Sequence, residues 1–131
     1  MRRALVLAAV AVLGAACRND GPVGGELAVR LQTPRPTERG IQFVVTGPVH
    51  GVAVPPGASY RVFADSSSDG DTTYVIVVAP SGSGLLAGDL ARIRVSDARS
   101  VAGYGVRAVA LANSRYGADT TLGVVLQVVR P

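Results

Sequence analysis

The densest group of oxygen-bearing side chains in this sequence is the segment Asp65-Ser-Ser-Ser-Asp-Gly-Asp71. Asp65, Ser67 and Asp69 stand at alternate positions and Gly70 follows them, which is the spacing with which a calcium-binding loop begins. Carboxylate and hydroxyl oxygens are the ligands that calcium prefers, so this segment is a candidate metal site. The candidate ligands are Asp65, Ser67, Asp69 and Asp71.

The same segment is also typical of a solvated hairpin tip. Position 12 counted from Asp65 is Ile76, whereas an EF-type loop closes there with a bidentate glutamate. Calcium would therefore need a ligand from another loop, such as Asp89 or Asp97. Because Asp-Gly provides the positive φ angles of a tight turn, the sequence favours the hairpin tip and leaves calcium as the alternative.

The inventory for nucleophilic or metal catalysis is small. His50 is the only histidine, and no Gly-x-Ser-x-Gly motif accompanies it. We therefore interpret His50 as a solvent-facing residue of a strand or turn and predict that the protein is not an enzyme. The alternative is an envelope hydrolase that uses acidic residues or a bound metal, which would require two facing carboxylates or converging ligands around residues 65–71.

Two tyrosines, Tyr104 and Tyr116, are candidates for a ligand-binding surface because they fall near strand or loop ends. In that position a tyrosine ring can stack on a sugar. The competing interpretation is structural: such a tyrosine covers the core and donates a hydrogen bond at a corner of a sandwich.

The N-terminus has the order of parts of an export signal. Arg2 and Arg3 precede the apolar run 4–13, which is too short to span a bilayer that needs about 20 residues. Gly14, Ala15 and Ala16 are small, and the chain's single cysteine, Cys17, follows them. The segment resembles the lipobox of bacterial lipoproteins, although Gly14 stands where that family usually has leucine.

The resemblance implies that residues 1–16 are removed as a signal peptide and that Cys17 receives lipid, including a palmitate-type acyl chain. Arg18 follows the cysteine, and in the sorting rule of Gram-negative lipoproteins the absence of aspartate there favours the outer membrane. The expected partner is thus a membrane, through a covalent anchor, in the bacterial cell envelope. Ordinary secretion is the alternative, because Gly14 and Ala16 also fit a small-x-small cleavage rule.

Charge argues against a nucleic-acid partner. All 13 basic residues are arginine, and the precursor has a net charge of +4. Without Arg2 and Arg3, 11 basic residues face nine acidic ones across 115 residues. Nucleic-acid binding needs clustered positive charge, and this excess is weak and scattered.

Short alternating apolar segments separated by proline, glycine and aspartate predict strands. The predicted strands are 27–32, 41–46, 49–54, 60–64, 72–79, 85–86, 90–95, 104–112 and 122–129. We expect residues 72–79 to be buried on both faces, residues 87–91 to be able to form one helical turn, and Leu122, Val124, Leu126 and Val128 to point inward. Eight or nine such strands predict a single antiparallel β-sandwich over residues 26–131, with a closed barrel as the alternative.

One segment resembles a known family. The stretch Gly82-Ser-Gly-Leu-Leu-Ala-Gly-Asp-Leu-Ala-Arg-Ile-Arg-Val95 is similar to the glycine-then-strand segment of cohesin-type β-sandwiches. The resemblance implies an immunoglobulin-like, cohesin-like or carbohydrate-binding-module-like topology.

Together these features predict an acylated Cys17, a short tether over residues 17–25 and a non-catalytic binding or structural module. The expected partner of that module is an envelope protein or a glycan. A small subunit of a larger complex is a further hypothesis, and it would require a contiguous exposed apolar patch.

Overall fold

The computed structural model describes residues 23–32 and 38–131. The predicted signal peptide, Cys17 and residues 17–22 of the predicted tether lie outside the described residues. The described residues form nine strands and one 3-10 turn, Val101–Gly103. The strands are β1 (Gly25–Leu31), β2 (Gly40–Thr46), β3 (Val49–Ala53), β4 (Arg61–Ser66), β5 (Thr72–Val78), β6 (Gly88–Val95), β7 (Gly105–Ala112), β8 (Ala118–Asp119) and β9 (Leu126–Val129).

The strands form two antiparallel sheets, so the predicted β-sandwich is confirmed. One sheet has the order β3-β6-β1-β9, and the other has the order β4-β5-β2-β7-β8. Every strand pair is antiparallel. Because the two sheets are separate, the closed barrel is not the fold.

The core lies between the sheets and is built mainly from aliphatic side chains. Phe43 of β2 is its largest fully buried side chain. Leu27 and Val29 of β1 meet it from the opposite sheet as members of the same apolar cluster. The alternation along β1 and β2 therefore places Leu27, Val29 and Phe43 in the core.

Strand β5 corrects one prediction, because it is not buried on both faces. Val75 and Val77 are fully buried, whereas Tyr74 and Ile76 are 48% and 41% exposed. A central strand of an antiparallel sheet has one face on the core and the other on solvent, and nothing in the described residues covers the outer face here. The apolar, β-branched composition of β5 does not distinguish its buried face from its exposed one.

A β-bulge changes the inward face of β7. Gln42 pairs with Ala110 and Phe43 pairs with Ala108, so Val109 is an extra residue in the ladder. Val106 and Ala108, before the bulge, pack against the core. Beyond the bulge the faces exchange: Ala110 is exposed and Leu111 is buried.

Three further local predictions are wrong. Residues 85–86 form no strand; Leu85 is nonetheless fully buried, and its N–H donates to the Glu38 carbonyl at 2.8 Å. Residues 87–91 form no helical turn, because β6 already begins at Gly88. The last strand begins only at Leu126, since a turn at Gly123, with φ +81°, precedes it and leaves Leu122 79% exposed.

The start of the described chain is held on the sandwich. β1 begins at Gly25, and the Ala98 N–H donates to the Val23 carbonyl at 2.8 Å. Across the described ranges, no helix is long and apolar enough to cross a membrane.

Candidate functional site

The acidic segment forms the hairpin between β4 and β5. Asp65 lies within β4, and the turn proper spans residues 67–71. The Ser67 hydroxyl donates to Asp69 Oδ1, and the Asp71 N–H donates to the same oxygen at 3.0 Å. These two hydrogen bonds, the one from Ser67 above all, hold the pKa of the Asp69 carboxyl below its usual range. Gly70 has φ +77°, the positive angle that the Asp-Gly pair predicted.

The two acids that could complete a calcium site from other loops, Asp89 and Asp97, are engaged elsewhere. Asp89 accepts from Arg30 Nε at 2.9 Å, and Asp97 accepts from the Arg99 N–H at 3.1 Å. In the part of the chain that the structure describes, no group of three or more histidine, cysteine or acidic side chains is placed to hold a metal ion. The carboxylate of Asp69 thus serves the turn, and calcium binding at residues 65–71 stays a prediction.

His50 lies on β3 and is exposed. Its Nε2 is within hydrogen-bond distance of Ser96 Oγ, and no carboxylate of the described residues bonds to either side chain.

The two candidate tyrosines lie at opposite ends of β7. Tyr104 precedes the strand, packs against the core and donates its hydroxyl to the Pro48 carbonyl at 2.8 Å. Its partial burial raises the pKa of its hydroxyl. Tyr116 follows the strand in a turn, is 62% exposed and has φ +59°. The structure does not bring the two rings to one surface, and the Tyr104 hydroxyl joins the approach to β7 to the turn between β2 and β3.

Sequence reasoning missed the surface on which Tyr116 does lie, the outer face of the five-stranded sheet. Phe63 pairs with Ile76, and Ile76 pairs with Gln42 on the next strand. Phe63 is 56% exposed, and Tyr74 stands beside it on the same face. A shallow apolar depression of about 310 Å³ continues this face toward Tyr116. We call this surface the outer apolar face; its members are Phe63, Tyr74, Ile76, Val78, Ala110, Ala112 and Tyr116.

Charged side chains border the outer apolar face. Arg61 and Asp65 lie on the same side of β4 as Phe63, and Arg107 of β7 lies opposite Val44. Among residues 23–32 and 38–131, no ion pair involves any of these three charged side chains. They are therefore available to a partner that covers the face.

The outer face of the other sheet has the opposite character. Arg92 lies 3.3 Å from Asp89 and 3.7 Å from Glu26, and Arg30 completes this network through Asp89. Ala28, which pairs with Arg92 in the register, is fully buried. The outer face of the four-stranded sheet thus presents paired charges of both signs to the solvent.

The sequence did contain a signal for the outer apolar face. In β5 and β7 the outward positions hold tyrosine, isoleucine and alanine where a solvated strand usually holds charged or hydroxyl side chains. The same pattern is typical of a strand that is buried on both faces, so only the layer structure separates the two cases. No protein-family model, curated protein or solved structure matches this chain.

Proposed function

We propose that this protein is a lipoprotein of the bacterial outer membrane whose β-sandwich is a non-catalytic module that binds a partner protein. The lipobox-like order of residues 1–17 supports the anchor, and Arg18 after the cysteine supports the outer membrane. Acyl chains on Cys17 would hold the domain at the membrane surface, because each buried methylene adds about 0.8 kcal/mol.

The contrast between the two outer faces carries the binding proposal. One sheet presents charges that neutralise one another, whereas the other presents aromatic and aliphatic side chains. Contiguous apolar patches on soluble domains mark interaction sites, and each buried Å² of such a patch contributes about 25 cal/mol. A partner that covers the outer apolar face therefore lowers the free energy of the complex relative to the separate proteins.

The composition of the outer apolar face favours a protein over a glycan. Aliphatic Ile76 and Val78 share this face with the rings of Phe63 and Tyr74, and Arg61 and Arg107 at its border form no ion pair with any described residue. Aromatic residues and arginine around an apolar centre are typical of protein–protein interfaces. A sugar-binding face would instead rest on stacked rings.

Mass spectrometry of the N-terminal peptide tests the anchor. We expect the mature chain to begin at Cys17 with lipid attached, and a Cys17→Ser chain to leave the membrane fraction. An unmodified Cys17 at the mature N-terminus would contradict the lipoprotein assignment.

Site-specific photocrosslinking in intact envelopes tests the binding face. A photoreactive residue at Tyr74 should give a defined protein adduct, whereas one at Arg94, exposed on the other sheet, should not. Replacing the neighbouring Ile76 by aspartate should remove the Tyr74 adduct without changing the amount of folded protein. Equal adducts from both positions, or binding of purified cell-wall glycan that Tyr74→Ala removes, would contradict a protein partner at this face.

A further inference from the structure

The two sheets have four edge strands, and only one of them is long and regular. β3 has a register shift between Val49 and Gly51, β8 has two residues and β9 has four. A bulge and short length are the means by which edge strands avoid pairing with other chains. β4 has six residues, contains no proline and pairs with β5 without a register shift. No strand of the described residues pairs with the outer edge of β4. This free edge is therefore a template for a further strand.

The backbone groups on this free edge follow from the hairpin. The Ser67 N–H donates to the Thr72 carbonyl at 2.8 Å, which makes that pair a hydrogen-bonded one. Antiparallel pairs alternate between hydrogen-bonded and non-hydrogen-bonded, so Asp65 and Phe63 direct their N–H and C=O groups to β5. The backbone groups of Val62 and Ala64 consequently point to the free edge.

The side chains of β4 are self-complementary about Phe63. Arg61 and Asp65 lie two residues before and two residues after it, on the same face of the sheet. When two copies of β4 lie antiparallel with Phe63 on the twofold axis, Arg61 of each copy stands opposite Asp65 of the partner subunit. The same register places Val62 opposite Ala64 of the partner subunit, where both residues have free backbone groups.

We propose that two copies of this chain associate through β4 in this register and form one continuous sheet. The two Phe63 residues then form a non-hydrogen-bonded pair, the kind in which facing side chains are closest. The two outer apolar faces become one surface with the phenylalanine rings at its centre. Another protein's strand could use the same edge, but the charge pattern of β4 matches a second copy of itself.

Charge reversal distinguishes this dimer from other forms of association. The full-length chain, kept in detergent micelles, should sediment as a monomer–dimer equilibrium. Each of the single variants Arg61→Asp and Asp65→Arg creates two like-charge pairs across the twofold axis. Each should therefore weaken the dimer by about tenfold or more. The double variant Arg61→Asp/Asp65→Arg restores opposite charges and should recover the dimer.

A monomer at every concentration would overturn the proposal. So would single reversals without effect, or a double variant as weak as the single ones. Because all of these side chains are exposed, we expect every variant to unfold at the same temperature as the unchanged chain, which confirms that association and not folding is being measured.

Cysteine crosslinking tests the register independently. A cysteine in place of Phe63 should have its β-carbon about 4.5–5.5 Å from its counterpart and form a disulfide-linked dimer under mild oxidation. Ile76→Cys is the matched control, since it is exposed on the adjacent strand and would be about 14 Å from its counterpart, three strand spacings away. Both variants retain Cys17, so any linkage through that residue appears equally in the unchanged chain. Equal crosslinking at positions 63 and 76 would overturn the register.

Discussion

At the scale of single residues, Asp97 stabilises the loop after β6 as Asp69 stabilises the β4–β5 hairpin. In both cases the carboxylate accepts hydrogen bonds from donors within its own turn. Asp97 Oδ1 accepts from the Arg99 N–H at 3.1 Å, and its Oδ2 accepts from the Ser100 hydroxyl at 3.0 Å. Oδ1 also receives the Val23 N–H at 3.4 Å, so this carboxylate ties the start of β1 to the loop after β6. These bonds, the one from Arg99 above all, hold the pKa of Asp97 below its usual range.

The lowered pKa of Asp97 predicts a loss of stability in acid. A carboxyl whose pKa is lower in the folded chain stabilises the fold above its unfolded pKa of about 3.9, and this contribution is lost as the pH falls through the folded value. Asp97→Asn should therefore unfold at lower urea concentration than the unchanged chain at pH 7, and the difference should shrink below pH 4. Asp71→Asn is the control, because no described residue donates to its carboxylate. A constant difference between pH 7 and pH 2 would contradict this role of the Asp97 charge.

At the scale of elements, the turn between β2 and β3 and the approach to β7 fit together through a glycine. Gly47 has φ +111°, and a β-carbon there would lie 2.7 Å from Cδ1 of Tyr104 and 2.9 Å from the Gly103 carbonyl oxygen. The Tyr104 hydroxyl also joins these two segments, because it donates a hydrogen bond to the Pro48 carbonyl. The ring can pack at this corner only because residue 47 has no side chain.

Substitution of Gly47 by alanine should consequently destabilise the protein more than the backbone angle alone explains. We expect a loss of about 3 kcal/mol, part from the positive φ and part from displacement of the Tyr104 ring. Gly57→Ala isolates the first part, since Gly57 has φ +78° and nothing within 4 Å of its β-carbon position, and should cost about 1 kcal/mol. Urea unfolding of both variants gives the comparison. Equal losses would mean that the corner contact contributes nothing.

The limits of prediction from this sequence also lie at the scale of elements. Strands with charged residues on their outward side, such as β1 and β6, are predictable from the sequence because their alternation is the period of a half-buried strand. The exchange of faces in β7 was not predictable, since the extra residue, Val109, is chemically like its neighbours. The outer apolar face is hidden in the sequence for a related reason. A strand with apolar residues on both sides predicts burial of both sides, and the sequence does not show whether a second layer covers the outer one.

At the scale of the whole molecule, the sandwich has an asymmetry that its composition hides. Both sheets contribute an inner face to one core, but the four-stranded sheet exposes paired charges and the five-stranded sheet exposes apolar side chains. The free edge of β4 borders the apolar side, so strand pairing and face coverage would use adjoining surfaces. A single layer of the fold thus combines the candidate self-association edge with the candidate partner surface.

Adjacent residues of β5 test whether the outer apolar face is free in the folded protein. Val75 and Ile76 share the same neighbouring strands and point to opposite faces. Val75→Thr buries a hydroxyl in the core and should lower the free energy of unfolding by about 2 kcal/mol. Ile76→Thr keeps a β-branched side chain on an exposed face and should cost less than about 1 kcal/mol, because solvent can hydrate its hydroxyl. Urea unfolding at a low protein concentration, where chains are separate, is the measurement. If Ile76→Thr costs as much as Val75→Thr, another part of the chain covers this face, and the face is not available to a partner.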